Sequence, residues 1–265
     1  MSWPFDTSEP YVLAEHALEA QRLSAGLTPE EWALPSTLVA TFQRQAYARL
    51  AERAGVDPQA SVSARLSGGA TAAHAIGRVS GVPVVIARPT VGAPAAALVM
   101  EVAIARGVRR MLVVGSAGSL QPGLPLGAAV VVTGAEREDG TSHHYLPVGE
   151  EVVADPDLTE LLASCATSRG LAPVRGRAWT IDAPYRETTG AILRHRTAGV
   201  SVVEMEAAAM FAVARVRGAR AGLIVAVSDE LFGQRWHAGF SHATYLETLL
   251  QAADATMDAA AQLGS

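Results

Sequence analysis

From Val82 onward the chain alternates short runs of β-branched residues with longer alanine-rich stretches. The runs PVVIA (83–87), MLVVG (111–115), AAVVVTGA (128–135), VSVVE (200–204) and GLIVAVSD (222–229) are apolar at consecutive positions. A strand apolar at both parities is buried on both faces of a sheet. Between the runs, apolar residues recur at helical spacing and predict helices near 94–106, 157–169, 186–198 and 206–217. A closing helix is predicted from about Ser241 to Gln262. Strands that each lead into a helix predict an α/β fold of one domain with a mostly parallel sheet.

The first sixty residues read as helical. Thr28-Pro29-Glu30-Glu31 has the spacing of a capping box, with proline at the first helical position. A second helix is expected from Ser36 to near Gly55, because Leu38, Val39, Phe42, Ala46, Leu50 and Ala54 fall at helical spacing. The expected organisation is therefore a helical segment, 1–60, packed on an α/β domain, 61–265.

Composition narrows the function classes. A net charge of -5 offers no basic field, so nucleic acid is not expected as a partner. One cysteine, Cys165, fits a reducing compartment and a cytoplasmic location. MSWPFDTSEP carries no signal-peptide pattern. The longest uncharged run, Leu112 to Ala135, is broken by five glycines and two prolines, so no membrane span is expected.

Ligands of open α/β sheets bind beyond the carboxyl ends of strands, and several of the expected strands end in reactive or small residues. Gly115-Ser116-Ala117-Gly118 follows MLVV, and its small residues let backbone N–H groups approach an anion or a ring face. Glu204-Met205-Glu206 follows VSVV. One acid there is an ordinary helix start; two ask for a further reason. Asp229 follows six apolar residues, where desolvation favours use as a general acid and the plainer reading is a helix cap. EREDGTSHHYLP (136–147) carries His143 and His144, which lack metal-ligand spacing to a third ligand, so no metal is expected.

Taken together, VVEMEAAAMFAVA, MLVVGSAGSLQPGLPLGAAVVVTGA, REDGTSHHYLP and IVAVSDE resemble the type I nucleoside phosphorylase and nucleosidase family, in matching order from about Val82 to Glu230. GRAWTIDAPYRET (176–188) is most similar to a uridine-phosphorylase-like branch. The resemblance implies a mixed central sheet flanked by helices, and a homo-oligomer that is a dimer or a hexamer built as a trimer of dimers. It implies a nucleoside and inorganic phosphate as substrates, with no cofactor. Glu206 would accept the ribose 2′- and 3′-hydroxyls, Met205 would pack beneath the sugar and Glu204 would orient the site. Asp229 matches the acid that serves the leaving base in purine-acting members. Gly92 and Ser116 would line the phosphate or water site. Ala117, Gly118, Tyr185, Arg186 and Glu187 would border the base.

Two departures keep alternatives open. The family's N-terminal phosphate loop, Gly-Asp-Pro-x-Arg, is absent, and Val113 stands where phosphorylases carry an arginine. Each missing charge-assisted contact is worth roughly 1.5–3 kcal/mol. Arg65, Arg88, Arg137 or a neighbouring subunit's arginine are the available substitutes. Hydrolysis by water therefore competes with phosphorolysis, and a nucleoside-binding protein without turnover is a third reading. The base is open too: Asp229 points to a purine, the GTSHHYLP and YRET segments to the uridine branch, and the Gln-x-Arg pattern of pyrimidine enzymes is missing.

Overall fold

A computed structural model describes residues 5–57 and 71–264. Its strands are β1 (Thr37–Thr41), β2 (Thr71–Val79), β3 (Val82–Pro89), β4 (Arg110–Ser119), β5 (Ala129–Glu138), β6 (Val152–Val153), β7 (Val174–Ile181), β8 (Val202–Glu204), β9 (Arg220–Glu230) and β10 (His237–Ala238). The helices are α1 (Ala14–Ser24), α2 (Pro29–Trp32), α3 (Arg44–Arg53), α4 (Ala93–Ala105), α5 (Ser142–Tyr145), α6 (Pro156–Ser168), α7 (Thr189–Thr197), α8 (Ala207–Arg217) and α9 (Ala243–Gln262). All described strands join one mixed sheet, ordered β10-β9-β5-β7-β8-β4-β1-β3-β2, with β6 on β5.

The sheet also pairs β9 with β4, so β4, β9, β5, β7 and β8 close into a ring. The β4–β9 ladder is parallel and runs from Arg110 opposite Arg220 to Ser119 opposite Glu230. On one side α4 and α8 pack with Val85, Met111, Val113 and Leu223. On the other, α3, α6 and α9 cover Val39, Ile86, Leu112 and Ile224. Helix-on-sheet layers on both faces explain why the strand runs are apolar at both parities.

The N-terminal expectation needs correction. The Thr28 capping box forms as read, with Thr28 Oγ1 accepting from Glu31 N and Glu31 Oε2 accepting from Thr28 N. The helix from Ser36 to Gly55 does not. Thr37–Thr41 is a fully buried strand between β3 and β4, and only Arg44–Arg53 is helical. TLVAT is a short β-branched run whose Leu38 and Val39 fit either period, and two neighbouring strands decided between them. Residues 5–57 thus supply a strand to the sheet as well as helices. The boundary at 60/61 lies outside the described residues. The sequence reading also passed over β7, because VRGRAWTI opens with two arginines about a glycine and only its second half is buried.

Candidate active site

The carboxyl ends of β4 and β9 meet that of β8, which runs against β4. Here lies a cavity of about 820 Å³, walled by Gln43, Gly115 to Gly118, Glu187, Glu204 to Glu206 and Asp229 among others. Helix α7 and the 231–240 loop complete the wall with Ile192, Arg196, Trp236 and Phe240.

The two glutamates after VSVV have separate duties. Glu204 ends β8 opposite Thr180. Its Oε2 accepts the N–H groups of Glu206 and Ala207 at 2.8 and 2.7 Å, and Thr180 Oγ1 donates to Oε1. Glu204 therefore anchors the first turn of α8 and answers backbone donors that a helix start leaves unpaired. Glu206 is the N-cap residue of the same helix, and its Oε1 accepts the Gly92 N–H at 2.6 Å. Gly92 is in turn the N-cap of α4, with φ at 113°, a backbone setting that favours glycine. Two helix N-termini converge on this acidic pair. Both carboxylates are buried. Burial pushes both pKa values up, and the Glu204 charge adds to the rise at Glu206. Among the described residues Glu206 is met by two backbone N–H groups, those of Gly92 and Met205, where Glu204 has three donors, so Glu206 is the less compensated acid.

At the other end Asp229 is aimed by a β-bulge. The β4–β9 register slips between Ala117 and Gly118, so that Ala117 faces Val227 and Gly118 faces Asp229. The extra residue, Ser228, lets consecutive side chains of β9 both reach the cavity, which strict alternation forbids. Ser228 Oγ donates to Asp229 Oδ1 at 2.7 Å and Trp236 Nε1 donates to Oδ2 at 2.8 Å. Gly118 makes room: a Cβ there would meet Asp229 Oδ2 at 2.9 Å and press on Leu231. Glu187 shares this end. Burial, followed by the charge of Asp229, pushes its pKa up to about 7.

The cavity brings together Glu204, Met205, Glu206, Asp229, Ser116, Ala117, Gly118, Tyr185 and Glu187. Gly92 acts through Glu206, because its N–H is committed there. Arg186 is exposed and outside the wall. Val113 is buried in the core beside α4 and α8. Arg137 is occupied as a staple, donating to the carbonyls of Ser142, Leu146, Pro147 and Glu150. Arg88 is outside the wall, and Arg65 lies outside the described residues. Among the described residues, no His, Cys, Asp and Glu group is arranged to hold a metal and no helix is long and apolar enough to cross a membrane.

The sequence reading missed Gln43, Arg196 and the Leu231–Phe240 loop. Gln43 was hidden by the supposed helix from Ser36; a polar residue just past a β-branched run was the signal. Phe232, Trp236 and Phe240 follow Asp229 in a segment matching no expected element, where only these three aromatic residues stand out.

Comparison with known proteins identifies the family of the chain. A profile described as "Phosphorylase superfamily" matches residues 39–263. A uridine phosphorylase from Thermococcus kodakarensis is 31% identical over 192 residues, 68% of each chain. A guanosine phosphorylase from Halorubrum lacusprofundi is 37% identical over 152 residues, 57% of this chain and 63% of that protein. A uridine phosphorylase from Haemophilus influenzae is 28% identical over 57% of this chain and 66% of its own length. The chain thus spans about two thirds of the length of the curated relatives it matches. Among solved structures, purine nucleoside phosphorylase from Toxoplasma gondii, in complex with immucillin-H, superposes with a TM-score of 0.74 at 20% identity, covering 89% of this chain and 94% of that one.

Proposed function

The chain belongs to the phosphorylase superfamily, and from that premise we propose that it cleaves the N-glycosidic bond of a nucleoside with inorganic phosphate, giving free base and ribose-1-phosphate. The observation that carries the reading is the single cavity shared by Glu204, Glu206 and Asp229. Glycosidic cleavage passes through a sugar with oxocarbenium character. Glu206 beneath it stabilises the positive charge and accepts a ribose hydroxyl through Oε2, while Gly92 steadies Oε1. Glu204 keeps the floor in place by anchoring α8. Met205 supplies the apolar surface under the pentose.

At the base end two carboxylates favour a base that presents N–H donors. A 2-amino-6-oxopurine has two adjacent donors, N1–H and the exocyclic amine, and a carboxylate accepts both with its two oxygens. We assign that edge to Glu187. Asp229 then faces the imidazole side, where a proton eases departure of the base. Uracil, lacking the paired donors, is the poorer match, and the Gln-x-Arg pattern suited to it is absent. The likeness to a guanosine phosphorylase supports the same choice. Exposed apolar side chains near the mouth, Val91, Tyr185, Trp236 and Phe240, support a homo-oligomer, which light scattering tests. The buried, lone Cys165 fits the cytoplasm.

Hydrolysis is the second reading, favoured by one observation: Val113 lies in the core, so no arginine enters from that position. The deciding experiment incubates the protein with guanosine, inosine, adenosine and uridine, with and without phosphate, and identifies the sugar. Ribose-1-phosphate from guanosine, formed only with phosphate, is expected. Free ribose irrespective of phosphate establishes the hydrolase, and tight binding without product establishes the binder.

A further inference from the structure

One corner of the cavity is polar but neutral. Gln43, in the turn between β1 and α3, donates from Nε2 to Ser116 Oγ of β4 at 2.6 Å. Thr41 Oγ1 donates to Gln43 Oε1 at 3.1 Å, and the Gln43 N–H donates back to Thr41 Oγ1 at 3.3 Å. With Oε1 held by a hydroxyl, the amide presents its NH2 to Ser116 and the cavity. Both Gln43 and Ser116 line the wall. The buried Tyr245 phenol lies beside Ser116, and burial pushes its pKa up, so it stays protonated.

Among the described residues, Thr41, Gln43, Ser116 and Tyr245 at this corner therefore offer donors and no base. An amide does not take a proton near neutrality, nor does a hydroxyl. The carboxylates of the described wall have other work: Glu204 and Glu206 at the β8–α8 junction, Asp229 and Glu187 at the base end. Water that attacks a sugar carbon has to lose a proton as the C–O bond forms, and enzymes place a base within reach of it. Hydrogenphosphate attacks through an oxygen that carries no proton. The C1′–O bond forms as the C1′–N bond breaks, and the electron pair leaves with the base nitrogen. That nitrogen is protonated at the base end, and the phosphate ester releases its own remaining proton to solvent, so charge and protons balance.

We propose that Gln43 seats the attacking nucleophile, its amide turning from Ser116 to an oxygen of inorganic phosphate, and that this donor-only corner selects phosphate over water. The assignment rests on the glycosidic cleavage proposed above. It also accounts for how phosphate is met without an arginine at position 113: neutral donors take part in holding its oxygens, as backbone N–H groups do in other anion sites.

The test is steady-state kinetics with guanosine, varying phosphate and nucleoside separately, beside a thermal melt. Gln43→Ala is expected to raise the KM for phosphate by about tenfold or more, leaving the nucleoside KM and the melt near wild type. Gln43→Glu, of nearly the same shape, places a carboxylate in the corner. Phosphate-dependent turnover is expected to fall about 100-fold while phosphate-independent release of free ribose rises above the wild-type level. An unchanged phosphate KM in Gln43→Ala, or an equal rise in both KM values, overturns the Gln43 assignment while leaving glycosidic cleavage intact. A wild-type protein that cleaves no nucleoside overturns both.

Discussion

Glu204 and Glu206, two residues apart, show how position divides the labour of identical side chains. Glu204 is held by three donors and holds a helix. Glu206 has fewer, the backbone N–H groups of Gly92 and Met205, and lines the cavity. A buried carboxylate with few donors destabilises the empty protein. Glu206→Gln keeps the shape and removes that charge, so it is expected to lower turnover by about 10³-fold. The same change is expected to stabilise the fold by about 1–3 kcal/mol, read as a rise in Tm of a few degrees. Loss of stability together with activity would show that Glu206 is structural. Glu187 makes a separate prediction. It must be ionised to accept from the base, and its pKa sits up at about 7. The kcat/KM for guanosine is therefore expected to climb with pH through neutrality, alongside the ionisation of Glu206. Glu187→Gln should remove one of the two protons from that limb, so its slope becomes shallower; an unaltered limb takes Glu187 out of base recognition.

Among the elements, the β9 bulge and α7 determine where the base-end groups stand. Gly118 is the small residue under the bulge. Gly118→Ala is expected to push Asp229 and Leu231 aside, costing about 1–3 kcal/mol of stability and about tenfold or more in kcat. An alanine variant with wild-type kcat shows that Asp229 has no need of that approach. Helix α7 brings Thr189, Ile192, Leu193 and Arg196 to the wall and is clamped from behind. Glu138 at the end of β5 accepts from Trp179 Nε1 at 3.0 Å and pairs with His195 Nε2 at 3.1 Å, while His195 stacks on Trp179 with ring centroids 4.3 Å apart. His195→Ala is expected to loosen α7 and raise the nucleoside KM about fivefold, with the phosphate KM unmoved. A matching rise in both constants points instead to general loosening. Most of these elements were legible from periodicity: α4, α6, α8 and α9 begin and end within about two residues of their expected limits. The bulge was not, because VAVSDE reads the same with or without a register slip, and the partner strand decides it.

The whole molecule carries a pH dependence that follows from its acids. Glu187, Glu204 and Glu206 have folded-state pKa values above their unfolded ones. Their stabilising balance is complete below the ordinary glutamate pKa and is lost as pH rises through the raised values. Against the pull of burial, arginine partners hold Glu138, Asp155 and Asp258 low, and their contribution is lost only in acid. The empty protein is thus expected to melt higher at about pH 6 than at about pH 8. The variant Glu206→Gln should narrow that gap; a gap of the same size in the variant assigns the effect to other groups. At this scale the ring of β4, β9, β5, β7 and β8 draws the site together, since it makes the carboxyl end of β8 meet those of β4 and β9.

The sequence by itself determined the α/β class, five of the strands, the main helices and the Glu-Met-Glu and Ser-Asp motifs, because hydrophobic period and residue chemistry are local properties. Only the tertiary structure decided that Thr37–Thr41 is a strand, that Asp229 and Glu206 face one cavity, that Arg137 is fully occupied, and that Gln43 stands beside Ser116 across 73 positions of chain. Those outcomes depend on which strands become neighbours and which backbone groups remain unpaired. Each is settled by burial and hydrogen bonding between segments remote in sequence, on which the local pattern is silent.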